Sequence, residues 1–327
     1  MNAFILTRLS HSRGFGLTVA LLAAVAAAVY FFDGYTEFIN GDMGLGLPSA
    51  NQWFGGNNTL SFAVAIAANA ATAVIMLLLN KIFNVFRAMT SLYLAFFAVM
   101  QLAQPGLMTQ FYTGNLLVVV IPLCLFLLFS CYRQPDTTRR IYMIALLLSA
   151  LTATQYCYAL YLPAFLIGCG QMGIFNRRTL AAVFMGIATP WIILIGFDII
   201  DPAQLQWPHF ANIFYEIDYD DTMLMLIAVG LTAFLAVVAY ILTVFKTIAY
   251  NARTRAFRGA FTMVMLTTMA AMCVDYRNII SYIPMLNFSA AMEVTHLFTT
   301  HRHDKSYIAI FSIIAVYAVI FVCQTIV

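Results

Sequence analysis

Charge is what this sequence lacks most. Asp, Glu, Lys and Arg make up 9% of its 327 residues, where a soluble domain carries about 25%. That scarcity excludes an ordinary soluble fold, and no stretch is polar enough to form a separate soluble domain. Cysteine is sparse and shows no pairing pattern. Cys124, Cys131, Cys157, Cys169, Cys273 and Cys323 all fall in apolar runs, and none forms the Cys-x-x-Cys spacing of a zinc or redox motif. They read as small apolar packing residues. The sequence has no Walker loop, dinucleotide fingerprint, serine-nucleophile elbow or zinc-protease helix. An ATPase or metalloprotease built on those motifs is excluded. Short alternating segments, the mark of a transmembrane barrel, are missing too.

What is present is apolar length. Hydrophobic residues make up 63% of the chain, in runs of about 16–24 residues from end to end, the pattern of an all-α polytopic bundle. About eleven helices are predicted, near 15–32, 59–80, 88–103, 112–132, two limbs within 139–178, then 180–197, 222–245, 259–274, 279–298 and 306–325. Residues 1–327 form one integral-membrane domain. Arg8, His11 and Arg13 precede the first run in the manner of a signal peptide. The run ends in Tyr30-Phe31-Phe32 instead of a small-residue cleavage site, so it reads as a retained helix. Gln104-Pro105-Gly106 stops the third segment, and Pro190 beside Trp191 kinks the seventh. The third, fifth and ninth segments are the shortest.

Charge sidedness sets the orientation. The loops 33–58 and 198–221 carry acids and neither Lys nor Arg. With the N-terminus inside, all but Arg277 of the 16 Lys and Arg lie on the inner side. Of the 13 acids, only Asp136, Glu293 and Asp304 fall outside the outer loops. Cationic loops resist translocation, which makes this the expected topology. The net charge of +3 therefore follows membrane sidedness and does not point to a nucleic-acid partner.

One stretch stands out. Arg139-Arg140 and Arg177-Arg178 bracket 36 residues without a charge. As helix these span roughly 54 Å, and two crossings of a hydrocarbon core need roughly 60 Å. The stretch reads as a hairpin slightly too short to cross twice, with the tip Gln155-Tyr156-Cys157-Tyr158 held below the outer surface.

Three stretches carry a resemblance: Leu79-Asn80-Lys81-Ile82-Phe83-Asn84, the tip from Gln155 to Pro163, and Gly173-Ile174-Phe175-Asn176-Arg177-Arg178 leading into Gly186 and Thr189-Pro190. With them, residues 76–200 resemble a family of uncharacterised polytopic inner-membrane proteins of Bacteroidota. The resemblance implies a multi-pass protein of the bacterial inner membrane with an envelope-related role, and it brings no catalytic residues.

Several groups are candidates for chemistry. Asp33 ends the first helix and Glu37 follows one turn later. An acid there resembles the layout of C-type polyprenyl-phosphate-sugar glycosyltransferases, in which an outer-loop acid acts as general base, often beside a divalent metal. On that reading Asp33 is the base and Glu37 a metal or orienting partner. Arg277 and His209 meet the lipid phosphate, and Gln155, Tyr156 and Tyr158 line the pocket. The partner is then a membrane lipid, a polyprenyl phosphate. The competing reading is that acids merely populate translocated loops. Glu216, Asp218, Asp220 and Asp221 could bind Ca²⁺ or Mg²⁺ but lack the glycine of a calcium loop; Asp220 or Asp221 more simply caps the eighth helix.

Glu293 is the one acid inside a predicted helix. Ser289 and His296 are its i−4 and i+3 neighbours, with Asn287 close by. An intramembrane carboxylate is costly and marks a functional candidate. Glu293-x-x-His296 matches half of a di-iron site, and the other half is missing. Glu293 could also snorkel to the inner boundary or pair with Arg302 or Lys305. The turn from His301 to Lys305 reads as solvated, without a zinc ligand set. Trp53, Trp207, Phe210 and Phe214 suit an interfacial belt. Three functions stay open: a lipid-linked sugar transferase, a proton-coupled transporter or flippase using Glu293 and His296 with Pro190 as pivot, and a non-catalytic scaffold.

Overall fold

A computed structural model describes residues 12–34, 45–54, 56–86, 90–134, 136–205, 219–248, 250–300 and 306–326. Among these the regular elements are helices, and no strand occurs. In chain order they are α1 (Arg13–Phe32), α2 (Asn58–Phe83), α3 (Leu92–Leu102), α4 (Pro105–Thr109), α5 (Thr113–Ser130) and α6 (Thr138–Thr152). Then come α7 (Leu162–Gln171), α8 (Arg177–Gly196), α9 (Tyr219–Ile248), α10 (Ala252–Val274), α11 (Ile279–Thr300) and α12 (Ser306–Ile326). Every predicted apolar segment lies on one of them. The addition is α4, for which Pro105 supplies the first turn: the proline that stops α3 starts the next helix, where its missing N–H costs nothing.

Among the described residues seven helices, α1, α2, α5, α8, α9, α10 and α12, are long and apolar enough to cross a bilayer. The chain is thus a helical multi-pass membrane protein. The faces of α1, α8 and α9 that carry Leu21, Leu22, Phe184, Ile192, Phe234 and Phe245 are exposed, as faces turned to lipid chains are. The three shortest segments fare differently. α3 has 11 residues, about 16 Å of helix. α6 has 15 and α7 only 10, so neither limb of the hairpin reaches the roughly 30 Å of a hydrocarbon core. A 3-10 turn, Tyr156–Tyr161, makes the tip. The ninth segment is longer than predicted. α10 begins at Ala252, because Arg253, Arg255 and Arg258 continue the helix; arginine is a good helix former with a long stem.

At the centre stands α11. Every residue from Ser281 to His296 is buried, against α9, α3, α5 and α10. Ser289, Ala290, Ala291 and Thr295 keep its flanks narrow, so neighbouring backbones can approach. α6 and α8 pack just as closely. A Cβ on Gly186 would meet the Tyr142 carbonyl at 2.7 Å, and Ser149 Oγ donates to the Ile187 carbonyl at 2.8 Å.

The bundle has two chemically distinct ends. At one, Phe257 of α10 packs on Phe83, Phe129 and Tyr132, and Arg140 donates to the Ser130 carbonyl. Here the chain places Lys81, Arg133, the pairs Arg139-Arg140 and Arg177-Arg178, Lys246, Arg253 and Arg255. This is the arginine end. At the other, the Gly46 and Leu47 N–H groups donate to the Ala153 carbonyl at 3.0 and 2.9 Å. Gly46 also lies against Ile200 and Leu205. The two predicted acidic loops therefore meet over the hairpin tip. Among the described residues Arg277 is the one Lys or Arg at this tip end.

Candidate functional site

The polar side chains that the fold gathers lie along α11, and the first cluster is at the tip end. Asp275 caps the C-terminus of α10, where its N–H donates to the Ala271 carbonyl at 2.8 Å. A single 3-10 turn, Tyr276–Asn278, then leads into α11. This tight turn leaves Asp275 fully buried, at 0% exposure. Its carboxylate is held by neutral donors. Tyr156 of the hairpin tip donates to Oδ1 and Tyr282 of α11 to Oδ2, both at 2.8 Å. Asn278 Nδ2 lies 3.1 Å from Oδ1 and 2.6 Å from the Tyr156 hydroxyl. A buried carboxylate needs its lone pairs satisfied, and here the three donors tie the hairpin, the turn and α11 together.

A second layer surrounds this cluster. Tyr158 donates to the Thr113 carbonyl and Tyr161 pairs with Thr268 at 3.0 Å. Asn51 Oδ1 accepts from the Thr113 N–H at 3.0 Å. Gly114 leaves room for the Tyr112 ring; a Cβ there would collide with it. The Tyr112 hydroxyl and Gln155 Oε1 are buried without a partner among the described residues.

Further along α11, Asn287 Nδ2 donates to Gln101 Oε1 of α3 at 2.7 Å, and Gln101 Nε2 donates to Asn69 Oδ1 of α2 at 3.2 Å. This amide chain crosses three helices. On the opposite side Glu293 pairs with Arg258 of α10 at 2.5 Å, and Arg258 also donates to Thr243 of α9 at 3.2 Å. Glu293 is 3% exposed. Toward the arginine end His296 Nε2 lies 3.3 Å from Thr300 Oγ1, which in turn meets the Tyr250 hydroxyl at 3.3 Å. His296 Nδ1 is buried and has no hydrogen-bond partner among the described residues.

Helical geometry sorts these groups. At about 100° per residue, Tyr282, Ser289, Glu293, His296 and Thr300 fall on one face of α11, within about 60° of one another. Asn287 faces away from them, which is why its partner is on α3. On the shared face Met285 and Leu286 lie between Tyr282 and Ser289 and are fully buried. An apolar step thus separates the tip cluster from the Glu293 station.

The predicted site residues are only partly brought together. Tyr156 joins the Asp275 network directly, and Gln155 and Tyr158 flank it. Arg277 is exposed on the adjoining turn. Asp33 is exposed at the end of α1, and its side chain takes part in none of the hydrogen bonds among the described residues. Glu37 and His209 lie outside the described residues, as do the turn 301–305 and Trp207, Phe210 and Phe214. Glu293 is buried and pairs with Arg258; Arg302 and Lys305, its expected partners, lie outside the described residues. Arg258 itself does not belong to a solvated loop: with α10 starting at Ala252, it is carried two turns into the helix and buried. No group of three or more His, Cys, Asp or Glu able to hold a metal occurs among the described residues.

Comparison of the chain with protein-family models, curated proteins and solved structures returns no match. The functional reading therefore rests on the residues themselves. Sequence reasoning passed over Asp275, Arg258 and Gln101. A signal existed for each of the first two. Asp275 is the one tip-end acid in a turn too short to form a loop, and a lone acid in an apolar helix calls for a cation on a neighbouring helix.

Proposed function

We propose that this protein is a proton-coupled transporter or flippase of the bacterial inner membrane, with its arginine end in the cytoplasm and α11 as its axis. The observation that carries this reading is the buried Glu293–Arg258 pair on the same face of α11 as His296. Ionisable groups inside a membrane helix are costly and concentrate on proton and ion pathways. A buried ion pair is weak support for stability alone, since apolar residues of similar volume often serve as well.

In this reading Glu293 is the proton acceptor. Protonation neutralises the carboxyl and releases Arg258, which keeps Thr243, and the α10–α11 contact loosens. His296, about 4.5 Å further along the axis, passes the proton toward Thr300 and Tyr250 at the arginine end. Met285 and Leu286 separate this route from the tip end. The Asp275 ties to Tyr156 and Tyr282 hold the hairpin across that end until a change of state releases it.

The test is charge displacement in proteoliposomes adsorbed on a solid-supported membrane. A pH jump should give a transient current with the wild type and none with Glu293→Gln. A wild-type trace equal to that of protein-free liposomes, or an unchanged trace in the variant, contradicts the reading.

A second reading, sugar transfer from a polyprenyl phosphate at the tip end, is favoured by the exposed Arg277 two residues from Asp275. It needs a carboxylate open to an acceptor hydroxyl. Asp275 is enclosed by its three donors, which leaves Asp33 as the base. Full complementation of a deletion strain by Asp33→Asn, with a normal lipid-linked sugar profile, would remove it.

A further inference from the structure

At the arginine end a cleft of about 200 Å³ opens between the end of α2 and the start of α10, lined by Phe83, Asn84, Asn251, Arg253, Thr254 and Phe257. We propose that this cleft binds a phosphate-bearing anion, with Arg253 as its principal contact. Among the described residues the lining contains one cation, three side chains able to donate hydrogen bonds besides it, and no carboxylate. Its floor is rigid. The Phe257 ring stacks on Phe129 with centroids 4.4 Å apart and meets Phe83 edge-on at 5.6 Å.

Two guanidiniums rest on this aromatic floor. Arg253 lies 5.2 Å over the Phe257 ring, and Arg133 lies 5.5 Å over Tyr132, whose ring is 5.8 Å from that of Phe257. Stacking on a ring orients a guanidinium and leaves its edge of N–H donors for another group. Neither guanidinium makes an ion pair or hydrogen bond among the described residues, and both are exposed. Arg133 holds this position with φ +53°, and Asn84 lines the cleft with φ +52°. The left-handed region is uncommon for arginine and favoured by asparagine. A planar fork of donors over a fixed aromatic floor, with amides alongside, suits phosphate oxygens. The source is either the headgroup of an anionic phospholipid or a free phosphate, and a basic recess between helices at a membrane surface fits the former.

The test uses the full chain in nanodiscs of phosphatidylcholine, of phosphatidylcholine with phosphatidylglycerol, and of phosphatidylcholine with inorganic phosphate in the buffer. Lipid or phosphate retention is titrated by native mass spectrometry. Wild type and Arg178→Ala, an exposed arginine of the same end outside the cleft, should retain the anion alike. Arg253→Ala should weaken it by about tenfold or more, the loss of a charged hydrogen bond. Arg253→Lys should fall between. Retention of phosphatidylglycerol that inorganic phosphate does not displace assigns the lipid headgroup; displacement, or binding of phosphate alone, assigns the free anion. Equal retention by Arg253→Ala and wild type, equal losses in Arg253→Ala and Arg178→Ala, or no anion preference in wild type overturns the proposal. Monodisperse elution of each variant establishes that the bundle is intact.

Discussion

Arg258 and Glu293, 35 positions apart in the chain, meet at 2.5 Å between α10 and α11. Each is nearly sealed from solvent. The pair joins the axial helix to its neighbour in the one place where both helices carry a full charge. This relationship makes stability and function separable by mutation.

Breaking the pair from one side leaves the other charge buried alone. Glu293→Ala and Arg258→Ala should each cost about 3–5 kcal/mol and lower Tm markedly. The double variant Arg258→Met/Glu293→Leu replaces both charges by apolar groups of similar volume and should recover most of that loss. Thermal melts of the three variants in the same detergent check this. A double variant as unstable as either single one would mean that the pair is indispensable for folding.

Tyr156 and Tyr282 hold opposite oxygens of one carboxylate. Tyr156→Phe and Tyr282→Phe should each cost about 1.5–3 kcal/mol, the range for a hydrogen bond to a charged group. Because both act on Asp275, the double variant should depart from the sum of the two. If the costs add, the residues do not share a network. Tyr156→Phe should also free the hairpin tip, read as faster hydrogen exchange over residues 153–162.

Glycine spacing at the start of α1 gives a sharp pair of controls. A Cβ on Gly16 would collide with the Ser91 carbonyl at the head of α3, whereas Gly14 has nothing within 4 Å. Gly16→Ala should therefore destabilise by about 1–3 kcal/mol through overpacking. Gly14→Ala should be neutral or slightly stabilising, since alanine is the better helix former. Equal effects would contradict the α1–α3 contact.

Sidedness is open to a direct check. Alkaline phosphatase fused after Asp201 should be active, and fused after Asn176 inactive, if the arginine end is cytoplasmic. The reverse pattern would invert the proposed direction of proton movement.

Much of the architecture was legible in the sequence because apolar length and basic residues are governed by the bilayer, which acts on each segment separately. The short hairpin was legible from arithmetic alone, and the limbs of 15 and 10 residues bear it out. The site was legible only in part. Glu293 and His296 announce themselves, since an ionisable group in an apolar helix has few bland explanations. Arg258 does not, because its neighbours Arg253 and Arg255 make it read as loop until α10 is seen to begin at Ala252. Asp275 was hidden among the acids that the charge pattern predicts on one side of the membrane. Its meaning comes from Tyr156, 119 residues away in the chain, and such pairing is a property of tertiary packing that no local pattern encodes.

The most direct measurement is the pH-jump current of Arg258→Met/Glu293→Leu, the variant expected to fold. It should melt close to wild type and give no transient current. A current of wild-type size from that protein would contradict the claim that Glu293 carries the proton along α11.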